Sequence, residues 1–276
     1  MSTTIWLNGE LVAGDRPAIS AADHGLLVGD GVFETAKVVD GRAFALRRHL
    51  ERLRHSAEGL GLDLPRSDAQ LTAGVAAVIE ANQPGVGRLR ITVTGGPGPL
   101  GSARGDDGPT VVLATGPAGT WPASADVVVV PWPRNERSPV AGLKTTSYAE
   151  NVVALAHAQE QGAGEALFAN LAGNLCEGAG SNVFVGLDGR LITPPLSSGC
   201  LAGITRDLVL ETTDAFEADV AMDDFARADE AFLTSSTRDV QPVATVDGRA
   251  LAACPGPLTK AAMDAFVALV ARTSDP

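Results

Sequence analysis

Three lysines, Lys37, Lys144 and Lys260, occur among the 21 basic residues, so each amine can be weighed by its surroundings. Lys260 falls on the polar stripe of a C-terminal helical pattern and reads as a solvated charge. Lys37 lies in an alternating strand pattern. Lys144 stands in Ala141-Gly142-Leu143-Lys144-Thr145-Thr146-Ser147-Tyr148, after a glycine turn and directly before a run, 148–161, that reads as a helix. An amine that acts as a nucleophile needs such a place. It must be held by rigid elements and be able to lose its proton through burial or neighbouring positive charge.

Four further groups bear on that lysine. Glu177 opens Glu-Gly-Ala-Gly-Ser-Asn, where glycines let the backbone turn tightly. Gly203-Ile204-Thr205 begins a helix, and the open N–H groups of Ile204 and Thr205 form an anion site. Ser235-Ser236-Thr237 ends a strand with a cluster of hydroxyls. Tyr148, the single tyrosine, shares a side with Lys144 if the helix has already begun four residues earlier. Taken singly these are a solvated carboxylate, a helix start, turn hydroxyls and a core tyrosine. Taken together they supply what pyridoxal 5′-phosphate requires: an amine for the aldehyde, a carboxylate for the ring nitrogen, a hydroxyl for the phenolate oxygen, and donors for the phosphate.

The elements that must position these groups follow from periodicity. A short hairpin surrounds Asn8-Gly9, and a loop with three glycines, 23–31, leads into a strand over 32–39 that turns back at Asp40-Gly41. Strand side chains alternate, so Phe33, Thr35, Lys37 and Val39 share one face, and a pocket there would lie beside Phe33 and Lys37. Leu46, Leu50, Leu53, Ala57 and Leu60 recur at helical spacing, which makes 47–60 an amphipathic helix. Ser67-Asp68 caps a second helix that ends near Asn82. Strands over 88–94 and 110–115 complete an N-terminal domain, 1–118. The stretch 116–124 keeps no periodicity and reads as the linker. The second domain, 119–276, carries strands over 127–130, 165–170, 182–185, 190–193 and 231–234, with helices after Tyr148, from Ile204 and from about Gly256. The mixture predicts an α+β (mixed α/β) fold in two domains.

Composition sets the outer bounds. A chain of 276 residues with 45% hydrophobic and 20% charged residues is an ordinary globular protein. Its formal charge of −12, without a basic run, argues against nucleic acid or an anionic membrane as partner. Cys176, Cys200 and Cys254 show neither close pairing nor metal spacing, so no metal site is expected and the setting reads as reducing and cytoplasmic. No signal-peptide pattern and no membrane-length apolar window are present.

Six ordered motifs carry a family resemblance over about residues 5 to 250. They are Gly-Asp-Gly-Val-Phe-Glu-Thr (29–35), His-Leu-Glu-Arg-Leu (49–53), Gly-Leu-Lys-Thr (142–145), Glu-Gly-Ala-Gly-Ser-Asn (177–182), Gly-Ile-Thr-Arg (203–206) and Thr-Ser-Ser-Thr-Arg-Asp-Val-Gln-Pro-Val (234–243). This set resembles the class IV, fold-type IV pyridoxal-phosphate enzymes, which include D-amino-acid transaminases, branched-chain transaminases and 4-amino-4-deoxychorismate lyases. The resemblance implies a small N-terminal domain, a larger C-terminal domain with the cofactor between them, and a homodimer. It implies Lys144 as the Schiff-base lysine, Glu177 as partner of the pyridine nitrogen, and Tyr148 as partner of the phenolic oxygen. Arg52, Ile204, Thr205, Ser235 and Ser236 would hold the phosphate.

Substrate is harder to read. Members acting on D-amino acids often carry an Arg-x-His pair in the loop after the strand, but here that loop is Gly-Pro-Gly-Pro-Leu-Gly-Ser-Ala-Arg104. Branched-chain members place an arginine at a position resembling Arg90. Candidate cations for a substrate carboxylate are Arg90, Lys37, Arg104, Arg134 and Arg137, with Phe33 as a pocket wall. The motif set favours a transaminase moving an amino group between an amino acid, D-amino acids first, and a 2-keto acid. The lyase and a branched-chain L-amino-acid transaminase are the alternatives. A cofactor-free lysine aldolase would show eight strand–helix repeats, which the pattern lacks.

Overall fold

The computed structural model describes residues 3–16 and 19–276; Met1 and Ser2, the start of the stretch inspected for a targeting pattern, lie outside the described residues, as do Pro17 and Ala18. The chain forms two compact units. The first comprises Met1–Gly119, Leu143–Tyr148 and Thr273–Pro276, and the second Thr120–Gly142 and Ala149–Arg272.

The first unit contains β1 (Thr4–Leu7), β2 (Glu10–Ala13), α1 (His24–Leu27), β3 (Gly31–Val39), β4 (Arg42–Ala43), α2 (Leu46–Gly59), α3 (Asp68–Ala81), β5 (Arg88–Thr94) and β6 (Thr110–Gly116). Its strands pair antiparallel in the order β2-β1-β6-β5-β3-β4. Alternation explains the layering. Val32, Ala36 and Val38 of β3, Leu89, Ile91 and Val93 of β5, and Val111 and Leu113 of β6 share one core cluster with Leu50, Leu53 and Ala57 of α2 and Leu71, Val75 and Val78 of α3. The intervening residues Phe33, Thr35 and Lys37, Arg88, Arg90 and Thr92, and Val112, Ala114 and Gly116 therefore occupy the other face. The capping box of α3 is complete: Ser67 Oγ accepts from Gln70 N–H, and the Gln70 side chain accepts from Ser67 N–H at 2.9 Å.

The lysine segment is extended and pairs with the start of β3. Phe33 N–H donates to Lys144 O at 3.0 Å, Thr146 N–H donates to Gly31 O at 2.8 Å, and Val32 and Thr145 form an antiparallel bridge. Gly31 permits this approach, since a Cβ there would meet Val93 O and Thr146 Oγ1. The following helix starts only at Ala149. Tyr148 is thus outside the helix expected to begin with it, because pairing with β3 holds the backbone through Thr146 and Tyr148 N–H donates to Thr146 O at 2.8 Å.

The second unit contains β7 (Ala125–Val129), α4 (Ala149–Glu160), β8 (Glu165–Ala169), β9 (Leu175–Gly178), β10 (Asn182–Leu187), β11 (Arg190–Thr193), α5 (Ile204–Thr212), β12 (Phe216–Glu217), α6 (Met222–Phe225), β13 (Glu230–Ser235), β14 (Asp239–Val246), β15 (Arg249–Ala250) and α7 (Pro257–Arg272). Eight strands run in the order β12-β11-β10-β13-β14-β7-β8-β9, and β15 pairs with β14. The sheet is mixed: β11 with β12, β14 with β7, and β7 with β8 are parallel. Pro242 sits inside β14 opposite Phe232 of β13, an unusual place for a residue without an N–H. Among the described residues no helix is long and apolar enough to cross a membrane.

Candidate active site

In the first unit two rings and a cation gather around Lys144. Its Nζ lies 4.5 Å from the Phe33 ring centroid and 6.0 Å from that of Tyr148, and the two rings meet edge to face at 5.2 Å. The Arg90 guanidinium lies 3.5 Å from the same Phe33 ring. Lys144 N–H donates to Ser56 Oγ at 3.1 Å, which fixes the backbone that carries the amine. Tyr148 reaches this group through the non-helical segment before α4, not through helical spacing. Lys37 points along the same face of β3 but stands over the Phe44 ring at 4.8 Å.

Arg52 is on α2, yet it is no solvated helix charge. Its Nε and Nη2 donate to the two Glu34 oxygens, both at 2.7 Å, and His49 Nδ1 lies 2.6 Å from Glu34 Oε2. Glu34 and His49 are buried. Burial raises the Glu34 carboxyl, but the charge and hydrogen bonds of Arg52, with His49, outweigh it and hold the pKa at about 2. For His49 burial dominates and lowers the pKa, against the pull of Glu34. Sequence reasoning missed Glu34, His49 and Ser56. A signal existed: positions 49, 52 and 56 follow helical spacing on one face, and Glu34 alternates with Val32, Ala36 and Val38 on an apolar one.

The second unit holds the other candidates. Glu177 lies on β9, just ahead of the glycine turn that Gly178 N–H closes by donating to Ser181 O; its Oε2 accepts from Leu201 N–H at 2.9 Å, and Oε1 lies 3.2 Å from Arg134 Nε. Arg134 also stacks on Phe168 at 4.1 Å and pairs with Glu150, so this cation is engaged within its own unit. Ile204 and Thr205 form the first turn of α5, buried and without a side-chain cap, which leaves N–H donors open. Ser235 and Ser236 lie at the end of β13, half-buried, one and two residues beyond Thr234, whose Oγ1 is buried without a partner. Open amides beside hydroxyls, one of them unpaired, form a donor set suited to a phosphate monoester.

Gly203 precedes α5, and a Cβ there would overlap Asn182 Oδ1, whose amide is fixed by donation to Leu201 O at 2.8 Å. Gly203→Ala is expected to cost about 1–3 kcal/mol by overpacking and to weaken pyridoxal-phosphate binding, as read by urea denaturation and cofactor titration.

Two other candidate cations find different places. Arg104 makes a two-bond fork with Asp30, both at 2.7 Å, and donates to Leu60 O and Gly61 O; this hydrogen bonding lowers the Asp30 pKa despite burial. Arg137 is exposed.

The model of the family described as amino-transferase class IV matches residues 31–246. The chain is 34% identical to "Putative branched-chain-amino-acid aminotransferase" of Methanocaldococcus jannaschii, over 90% of this chain and 89% of that one. It is 33% identical to the D-alanine aminotransferase of Bacillus licheniformis, over 93% of each. The branched-chain amino acid aminotransferase of Escherichia coli superposes with a TM-score of 0.91 at 27% identity, covering 98% of this chain and 95% of that structure.

Proposed function

We propose that this chain, which belongs to the class IV aminotransferase family and is a pyridoxal-phosphate-dependent enzyme of fold-type IV, moves the amino group of an L-amino acid with a branched apolar side chain to a 2-keto acid. The observation that carries this reading is the Arg90–Phe33–Lys144 group, which sets a cation beside the ring that the lysine also touches. The loop after β5 lacks the Arg-x-His pair expected for D-amino acids, and its Arg104 is tied to Asp30. The relatives support the same preference, with D-alanine aminotransferases close behind.

When bound, pyridoxal phosphate supplies an aldehyde for an amine and an electron sink for negative charge developing at the substrate α-carbon. Lys144 Nζ is the amine that holds it and, once displaced, the base that takes the α-proton. The Phe33 and Tyr148 rings fix the side chain of Lys144, and Tyr148 offers its hydroxyl to the phenolic oxygen. Glu177, oriented by Arg134 and Leu201 N–H, supplies negative charge to the ring nitrogen. In the second unit, Ile204, Thr205, Ser235 and Ser236 would hold the phosphate; Arg52 is the phosphate arginine that the family resemblance implies. Arg90 binds a substrate carboxylate. We also infer a homodimer and a reducing, cytoplasmic setting; the latter accords with three free cysteines, two of them buried with thiol pKa values raised by burial.

The test is a single turnover of holoenzyme without an added acceptor. L-leucine is expected to release one equivalent of its keto acid at least about tenfold faster than D-alanine releases pyruvate, a difference of about 1.4 kcal/mol in barrier. The opposite order would return the D-amino-acid reading. Release of neither, with pyruvate formed from aminodeoxychorismate, would identify the lyase.

A further inference from the structure

The helix that carries His49, Arg52 and Ser56 starts without the signals a helix normally has. Ala45, the residue before α2, has no side chain to cap with, and its backbone is left-handed at φ 55°, a costly place for a residue with a Cβ. An extended Ser, Thr, Asp or Asn is the usual residue there. The first turn holds no acid but two arginines, Arg47 and Arg48, which set positive charge against the positive end of the helix dipole. Glu51, one turn on, accepts from Arg47 Nη1 at 2.8 Å. By contrast α3, which carries no residue of the candidate site, has its whole capping box in its own sequence.

What α2 lacks is supplied by residues 273–276, distant in sequence but part of the same unit. Ser274 O accepts from Ala45 N–H at 2.8 Å, and Asp275 Oδ1 accepts from Arg47 N–H at 3.2 Å. Pro276 O accepts from Arg47 Nη2 at 3.1 Å and from Arg48 Nε at 2.9 Å. Asp275 N–H donates in turn to Thr273 Oγ1 at 3.2 Å, which shapes the segment that presents the carboxylate. Two of the four N–H groups that a helix start leaves open are thereby taken. A carboxylate also stands where the dipole and two guanidiniums call for one.

The first turn of α2 is where the site begins. His49 N–H donates to Ala45 O at 3.1 Å, the bond that closes this turn. The His49 ring Nδ1 lies 2.6 Å from Glu34 Oε2, the oxygen that Arg52 Nη2 also reaches, at 2.7 Å. A first turn that frays withdraws His49 from Glu34 and loosens the carboxylate that aims the Arg52 fork. We propose that Asp275, with Ser274, is a positioning residue of the site: it caps α2 from outside that helix and, through His49 and Glu34, holds Arg52 in the direction that meets the cofactor phosphate. The last step rests on the proposed function, in which Arg52 is the phosphate arginine.

The experiment is equilibrium dialysis of the holoenzyme against graded free pyridoxal phosphate, with amide exchange of residues 46–49 followed by mass spectrometry. Asp275→Ala is expected to raise the cofactor dissociation constant about threefold to tenfold, within the range that a lost cap allows, and to speed exchange over 46–49. Asp275→Asn, whose side-chain oxygen caps as well, should stay close to wild type. Removing 274–276 should go beyond Asp275→Ala, because Ala45 N–H and both arginines then lose their acceptors as well. Ser67→Ala is the control: it removes the cap oxygen of α3, lowers stability by a comparable amount, and should leave cofactor affinity unchanged. Wild-type affinity in Asp275→Ala, or a loss equalled by Ser67→Ala, would overturn the positioning role. An Asp275→Asn protein as weak as Asp275→Ala would do the same for the cap. Asp275 is exposed, so its variants are expected to stay folded. Failure of the reading of Arg52 would show separately, as undiminished cofactor affinity in folded Arg52→Gln and Arg52→Lys proteins.

Discussion

Replacing Lys144 by alanine is expected to lower keto acid formation by about 10⁴-fold or more while the protein stays folded. The bonds that seat the segment are made by its backbone: Lys144 O accepts from Phe33 N–H, and Lys144 N–H donates to Ser56 Oγ. Alanine keeps both. What is lost includes the Nζ over the Phe33 ring at 4.5 Å and over the Tyr148 ring at 6.0 Å, contacts worth about 0.5–1 kcal/mol each, which together lower the melting temperature by no more than about 8 °C. Lys144→Arg sharpens the experiment. Arginine preserves a cation over the rings but cannot give up its proton to become a nucleophile, so it is expected to be as inactive as alanine and closer to wild type in stability. Activity above about one hundredth of wild type in either variant would remove Lys144 from its assigned place. Such a result would direct attention to Lys37 on the same sheet face.

The neighbourhood of this lysine was readable in outline because rarity and spacing are local properties. The glycine turn before it and the helix after it are written in adjacent residues, and α4 begins one residue later than expected. The route by which Tyr148 reaches Lys144 was not readable, since the pairing of Thr145 with Val32 and of Thr146 with Gly31 joins segments far apart in sequence. The same limit hid Arg134 as the partner of Glu177: an arginine in a proline-bearing loop looks like a surface charge until the strand carrying the carboxylate is beside it. β14 was missed for a chemical reason, because Pro242 lacks a donor and normally argues against a strand interior. β9 was missed because four residues ending in glycine carry too little alternation. The quoted motifs are those that serve cofactor chemistry, so they identify the family and leave the substrate open. What bears on substrate in the proposed reading is Arg90, visible in the sequence but informative only once the pairing of β3 with β5 brings it beside the Phe33 ring.

Glu34 is the second position where a large effect is expected, on stability more than on chemistry. Its carboxylate is the counter-charge for Arg52 and the partner of His49 in a buried cluster. Glu34→Ala leaves both partners without it and is expected to cost about 3–5 kcal/mol, a large share of a total stability of about 5–15 kcal/mol. The acid response of wild type has a fixed sign. A carboxyl at about 2 in the folded chain against an ordinary 4.5 binds fewer protons when folded, so its contribution is complete above 4.5 and is lost as pH falls toward 2. That difference corresponds to about 3 kcal/mol. His49, lowered from 6.5, acts in the same sense: the chain gains stability from keeping it neutral above 6.5 and loses it as pH falls through that value to its lowered one. Urea unfolding followed by tryptophan fluorescence reads this well, since Trp6 is buried in the first unit's core whereas Trp121 and Trp132 are exposed. From neutral pH downward wild type is expected to lose stability steeply. Glu34→Gln, which keeps the volume but cannot ionise, should start lower and fall less between 4.5 and 2. Parallel curves for the two proteins would mean that the Glu34 carboxylate is not what couples acidification to unfolding. If Arg52 holds the phosphate, the same Glu34→Gln protein should also bind pyridoxal phosphate more weakly at neutral pH, because a guanidinium that has lost its fork no longer has a fixed direction.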